Sequence, residues 1–371
     1  MKSFAVTSVL LAAAVSANPT PTEEQQPNKR ASLPTVTASG NAFWAGKNRF
    51  YVRGLDYQPG GSSGMSDPLA DEDGCKRDIS EFKTLGVNTS VFATIDEFVQ
   101  YDNTLAFFSG NEVVNDQTNT TLAAPYVKAT TRDMRQYISK RGYRKIPVGY
   151  SAADVSQNRW QLAQYFNCGS DDERSDFFAF NDYSWCNTNY KESGWDQKVK
   201  NFTGYGIPLF LSEYGCITNG RDFGEVAALM SDEMTSVYSG GLVYEYSEES
   251  SHYGLVSVDG DKVSTKSDFL AYSTALASNP APSGDGGFTK TTNSAACPSA
   301  NSDWLVSDTS LPAIPTGAVK YMSKGAGSGP GLTGDGSQNA GGAGGPAPLD
   351  RGAFLVTGVA FLFTLVGTLL L

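Results

Sequence analysis

Short runs of nearly all-apolar residues, bounded by glycine, proline or asparagine, punctuate this chain between Phe50 and Tyr246, and amphipathic stretches lie between them. A run that is apolar on both alternating faces is buried on both sides, the condition of a strand in a parallel sheet covered by helices. The candidate strands are Phe50–Leu55, Val87–Phe92, Leu105–Gly110, Ile146–Gly149, Phe177–Phe180, Leu209–Leu211 and Leu242–Tyr246. The helical candidates include Cys75–Leu85, Ala124–Arg141 and Asp222–Tyr238. Such alternation predicts an α/β fold, and the commonest closed form at this size is a TIM (β/α)8-type barrel. Seven strands are found where eight are expected. The shortfall falls between Val87 and Leu105, where little beyond Thr94–Asp102 joins two candidates. A parallel crossover needs roughly a dozen residues or more.

The ends carry no such pattern. Met1 to Ala17 reads as a secretory signal peptide, with Lys2, an apolar run, and small residues at Val15-Ser16-Ala17. Residues 18–30 are rich in Pro, Gln and Glu and end in Lys29-Arg30, which is either a processing site or part of a solvated tail. The catalytic barrel is expected over 31–300, with Cys297 and Trp304 as the last anchors. A Gly/Ser/Pro-rich linker follows over 301–339, then a GPI-anchor propeptide over 340–371, with Asn339 as the attachment residue. Gly352 to Leu371 carries no charge, and no Lys or Arg beyond it acts as a cytoplasmic stop, which favours the GPI signal over a single-span helix.

Composition then prunes the chemistry. A single histidine, His252, excludes His-rich zinc sites and leaves one residue for any Ser-His-Asp triad. A net charge of −11 argues against nucleic acid or anionic lipid as a partner. Aromatic residues make up 12% of the chain, enough to offer the flat apolar faces on which sugars stack. Five cysteines in a secreted chain leave one without a partner.

Two carboxylates stand out by position. Glu112 follows Leu105 to Asn111 where an apolar run ends, and Glu213 follows Ile207 to Ser212 in the same way. In a barrel the C-terminal strand ends converge on one active face. Two carboxyls meeting there divide the roles of general acid and nucleophile, as retaining glycosidases require.

Seven ordered motifs now resemble one family. They are Arg53-Gly54-Leu55-Asp56-Tyr57-Gln58, Asp67-Pro68-Leu69-Ala70-Asp71, Gly110-Asn111-Glu112-Val113 and Gly149 to Asp154, followed by Tyr165-Phe166-Asn167-Cys168, Ser212 to Cys216 and Gly240 to Ser247. Together they resemble the fungal GPI-anchored β-1,3-glucanosyltransferases of glycoside hydrolase family 72, over roughly Phe43 to Cys297. The resemblance implies a (β/α)8 barrel with Glu112 as acid/base and Glu213 as nucleophile. It implies that Asn111 bonds the sugar 2-hydroxyl, that Asp154 and Arg159 bind glucan hydroxyls, and that Tyr244 supports the nucleophile or the sugar. Tyr57 and Tyr183 are further sugar contacts. The implied partners are β-1,3-glucan donor and acceptor chains and, through the anchor, the outer leaflet of the plasma membrane or the cell wall. No cofactor or metal is implied, because bond energy is kept in an ester intermediate. The implied disulfides are Cys168–Cys297 and Cys186–Cys216. Retaining glycosidase chemistry follows from the residues; transfer in preference to hydrolysis follows from the resemblance alone. A hydrolytic endo-β-1,3-glucanase and a catalytically impaired glucan-binding wall protein are the alternatives.

The sequence departs from the family at one place. Leu85-Gly86-Val87-Asn88-Thr89 runs almost directly into Ser90 to Phe98, which resembles the helix before the fourth barrel strand. Roughly fifty to sixty residues implied by the resemblance are absent, about one βα unit with pieces of its neighbours. The unpaired cysteine is then Cys75, whose partner belongs to the absent stretch. Asn119-Thr120-Thr121 and Asn201-Phe202-Thr203 are N-glycosylation sequons, whereas Asn88-Thr89-Ser90 at the junction reads as an accident of joining. The family's Cys-rich carbohydrate-binding module is not found, since only Cys297 follows the barrel.

Overall fold

The computed structural model describes residues 34–57 and 95–326, and between them Arg77, Asp78, Glu81, Phe82 and Leu85, all helical. The signal, the anchor with Asn339, Cys75 and the candidate strand Val87–Phe92 lie outside the described residues. An antiparallel meander, β1 (Val36–Ser39), β2 (Ala42–Ala45) and β3 (Asn48–Phe50), leads into β4 (Val52–Leu55). Then come β5 (Phe107–Asn111), β6 (Val148–Ala153), β7 (Phe177–Asn181), β8 (Leu209–Tyr214) and β9 (Tyr238–Val243). These pair in the order β4-β9-β8-β7-β6-β5, parallel throughout. The last strand lies against the first, as barrel closure demands, and β5 is the far edge of the arc among the described residues. All of β7 and all of β9 are buried, as strands covered on both faces must be.

Helices α1 (Ile95–Phe98), α2 (Ala124–Lys140), α3 (Arg159–Phe166), α4 (Trp195–Phe202), α5 (Gly224–Leu229) and α6 (Asp232–Thr235) fill the connections. None of the described helices is long and apolar enough to cross a membrane. The meander caps the N-terminal ends of the strands: Phe43 packs on Phe177 and Phe210, with ring centroids 6.0 and 5.9 Å away. A second hairpin, β10 (Val256–Asp259) and β11 (Lys262–Thr265), precedes α7 (Ser267–Ser278). From α7 the Tyr272 hydroxyl donates to the Gly54 carbonyl at 2.7 Å, which ties the helix after the last strand onto the first.

The sequence pattern misplaces several boundaries. The run Phe50–Leu55 divides at Tyr51, because Phe50 pairs with β2 and Val52 onward with β9. The expected helix Asp222–Tyr238 breaks into α5 and α6, and the expected strand Leu242–Tyr246 instead spans Tyr238–Val243. Gly240-Gly241 resembles a turn in sequence, yet it is buried strand. At Gly240, with φ +90°, a Cβ would sit 2.0 Å from the Val52 carbonyl oxygen, so the close approach of β9 to β4 excludes any side chain. The folded body also continues past the expected linker boundary at 301. Trp304 is 0% exposed and packs 5.3 Å from the Tyr165 ring, and a further helix, α8 (Thr316–Lys324), lies against α2.

Truncating a fully buried tryptophan removes its burial and leaves a cavity. Trp304→Ala is therefore expected to cost about 3–5 kcal/mol of stability, measured by denaturant unfolding. A linker residue at that position would change stability by less than about 0.5 kcal/mol.

Candidate active site

Strands β5 to β8 deliver their C-terminal residues to one face. Asn111 ends β5, and Glu112 follows with φ +49°, a conformation that non-glycine residues rarely adopt. Its N–H donates to the Ser151 carbonyl at 2.9 Å, so this turn is fixed by the neighbouring strand. Glu213 sits in β8 opposite Asn181 of β7, where a register shift follows Phe180.

Asn181 is 4% exposed and organises the site. Its side-chain carbonyl accepts from the Ser151 hydroxyl at 2.9 Å and from the Ser212 hydroxyl at 2.7 Å. Its amide therefore points the other way, donating to Asn111 Oδ1 at 3.1 Å and Glu112 Oε1 at 2.9 Å, and it also faces Glu213. The Asn181 amide thus lies between the two carboxyls. On the other flank the Tyr183 hydroxyl donates to Glu213 Oε2 at 2.6 Å.

Burial pushes the Glu213 carboxyl up to about 8, with the Glu112 charge adding to the rise and the Tyr183 and Asn181 bonds opposing it. Glu112 is also raised by desolvation, against the Asn181 bond. The buried Asp56 is raised well above the carboxylate range by desolvation and then by the charges of Glu213 and Glu245. Burial and the charge of Glu213 keep Tyr183 protonated, so it is a standing donor. Its bond favours the anion at Glu213, the direction a nucleophile needs, and so opposes the rise that burial imposes.

The other residues singled out from sequence separate into two groups. Tyr244 is half-buried and faces Tyr183, with ring centroids 6.4 Å apart. Asp154 and Arg159 pair with each other, and Lys198 of α4 joins Asp154 at 2.6 Å to Asp182 at 2.5 Å. Burial opposes the ionised Asp182, but Lys198 and Ser184 outweigh it and hold its pKa below the usual range. These charges are largely committed to one another. Tyr57 is 5% exposed, its hydroxyl donates to Asp78 at 2.7 Å, and its ring packs on Phe82 and Tyr246, so it is a packing residue and not an open sugar face. Cys168 is bonded to Cys297, and Cys186 to Cys216. Asn119 and Asn201 are both exposed.

Sequence reasoning missed Asn181 and Tyr253. Asn181 ends the apolar run Phe177–Phe180 just as Asn111 and Glu112 end theirs, and the same positional logic would have found it. Tyr253 comes from a loop with no strand pattern, yet its ring lies 5.5 Å from both Tyr183 and Tyr244.

An arc of parallel strands with two carboxyls flanking one amide at its C-terminal face defines a glycosidase-type barrel. A family model described as glucanosyltransferase matches residues 25–92 and 89–279. The chain belongs to glycoside hydrolase family 72. It is 52% identical over 388 positions to the 1,3-beta-glucanosyltransferase gel1 of Aspergillus fumigatus, covering 90% of this chain and 85% of that one. It is 42% identical to the 1,3-beta-glucanosyltransferase GAS5 of Saccharomyces cerevisiae, covering 81% of this chain and 74% of the relative. Among solved structures it resembles Saccharomyces cerevisiae Gas2p in complex with laminaritriose and laminaritetraose. That match has a TM-score of 0.70 and 32% identity over 76% of this chain and 78% of that chain.

These alignments also measure the internal gap. The 388 positions shared with gel1 use 90% of 371 residues, about 334, so about 54 positions of the relative face no residue here. The two matched pieces of the family model meet at residues 89–92, where the sequence places the junction. The absent unit falls between β4 and β5 in chain order, and among the described residues no strand lies between those two.

Because the folded-state pKa of Glu213 is raised, the protonated form is the one folding favours. The penalty is absent below the unfolded value of about 4.3 and grows as pH rises toward about 8. Glu213→Gln is therefore expected to raise the melting temperature at pH 8 and leave it little changed at pH 4, which thermal scans at the two pH values check.

Proposed function

We propose that this protein is a retaining β-1,3-glucanosyltransferase. Glu213 attacks the anomeric carbon of an internal β-1,3-linked glucose while Glu112 gives its proton to the departing oxygen. The covalent ester is then opened by the 3-hydroxyl at the non-reducing end of a second glucan chain, with Glu112 now taking the proton, and that chain is elongated. The observation that carries this reading is Asn181, whose single amide lies between Glu112, Asn111 and Glu213. In this reading Asn111 bonds the 2-hydroxyl at the transition state, and the half-buried rings of Tyr183 and Tyr244 meet the sugar. Asp154 and Arg159 contribute at the rim through whatever hydrogen-bonding capacity their mutual pairing leaves.

The substrate class is supported by the names of the relatives and by the laminari-oligosaccharides held by Gas2p. The proposed setting is the outer face of the plasma membrane and the wall, reached through the signal at 1–17 and a GPI anchor at Asn339, with glycans on Asn119 and Asn201. One observation favours a second reading, hydrolysis or impaired turnover: Glu112 is exposed and follows β5, the edge strand of the described arc. Water reaching the ester from that side competes with the acceptor.

Incubating the secreted form with reduced laminari-oligosaccharides separates the readings by product length. The transferase reading requires products longer than the substrate; shorter products alone mean hydrolysis. Glu112→Gln is expected to lower turnover by about 10²–10⁴-fold, the usual contribution of a positioned acid/base, and Glu213→Gln is expected to abolish the ester. Glucan retention without product, unchanged in both variants, means a binding protein.

A further inference from the structure

We infer that Arg221 is a positioning residue that holds the aromatic corner of the sugar cleft, a role that rests on the proposed glucan reading. Tyr183, Tyr244 and Tyr253 form a triangle of edge-on rings with centroids 5.5 to 6.4 Å apart, all half-buried and all beside Glu213. Tyr183 is fixed by its bond to Glu213. Tyr244 and Tyr253 are held through their main chain. Arg221 lies on the loop after β8, which the Cys186–Cys216 disulfide anchors at Cys216, and its guanidinium side chain is 2% exposed. One terminal nitrogen donates to the Tyr244 carbonyl at 3.0 Å and the other to the Tyr253 carbonyl at 2.8 Å. Nε donates at 2.8 Å to Asp268 at the start of α7, and the guanidinium carbon lies 5.2 Å from the Phe223 ring centroid. The planar fork thus joins both ends of the segment 244–253 to α7. A lysine has no fork and holds at most one of these carbonyls in the same direction. The consequence is that ring placement on the cleft depends on a side chain that never touches sugar.

The test combines a binding cycle with a readout that needs no ligand. Arg221→Lys is expected to weaken binding of reduced laminaripentaose roughly 3- to 10-fold, the scale of aromatic packing. In a background carrying both Tyr244→Leu and Tyr253→Leu it is expected to add no further loss, because coupled residues are non-additive. Asp268→Asn, which keeps the fork and removes its ionic anchor, is expected to act in the same direction more weakly. Hydrogen exchange in Arg221→Lys is expected to quicken across 244–255 and remain unchanged in β5 to β7. Fully additive binding losses, or exchange that quickens uniformly, overturn the inference. If the unsubstituted protein binds no laminaripentaose, the glucan reading fails, and local exchange still decides whether Arg221 holds the corner.

Discussion

The orientation of one asparagine amide sets the geometry of this site. An asparagine carries one acceptor oxygen and two donor hydrogens, and its two ends differ only by what surrounds them. Ser151 and Ser212, on the two strands flanking β7, place hydroxyl groups on the oxygen of Asn181. With that end occupied, the donor end faces Asn111, Glu112 and Glu213. Three neighbouring strands must keep register for this to hold, so the sheet pairing and the carboxylate geometry are one constraint. The register shift between β7 and β8 brings Asn181 opposite Glu213. Without that shift the serine and glutamate of β8 would exchange faces, since side chains alternate along a strand.

The closure of the barrel on its first strand is a second dependence. β9 reaches β4 only because Gly240 carries no side chain, and α7 then bonds back to Gly54. Above this seam Asp78 accepts hydrogen bonds from Tyr57 and Tyr246, the residues that follow the first and last strands. Phe82 packs against both rings, at 5.1 and 4.9 Å. A buried carboxylate holding two phenols keeps the ends of the first and last strands together. That is why Tyr57, which looks like a sugar contact in sequence, serves the fold.

Much of this was legible in the residues. Apolar runs bounded by breakers locate the strands that are buried on both faces, because burial alone selects their composition. The pair Glu112 and Glu213 stands out because both follow such runs. The edges of β9 and of the meander were not legible, since Gly240-Gly241 and Phe50-Tyr51 take their structure from neighbouring strands and not from local preference. The resemblance implies that Asp154 and Arg159 bind glucan hydroxyls, whereas Lys198, distant in sequence, draws Asp154 into a network with Asp182. No local pattern reveals a partner of that kind. The odd cysteine count and the short connection after Thr89 did signal the absent unit, and the alignment lengths agree with its size.

The competition between water and a sugar hydroxyl for the proposed ester turns on what each side of the cleft offers. A transferase must hold its acceptor long enough for one oriented hydroxyl to outrun bulk solvent, and orientation supplies that advantage. The Tyr183, Tyr244 and Tyr253 corner, braced through Arg221, presents ordered faces on the β8 and β9 side. On the β5 side Glu112 is exposed and its strand is the edge of the described arc. Glu112, the proposed acid/base, therefore stands at the edge of the described part of the cleft. In the proposed reaction Glu112 protonates a leaving oxygen and then activates an acceptor, and both steps depend on keeping stray water from its carboxyl. In the proposed reaction the balance between transfer and hydrolysis is thus set at Glu112, not at Glu213, whose neighbours Tyr183, Asn181 and Ser212 are all in place.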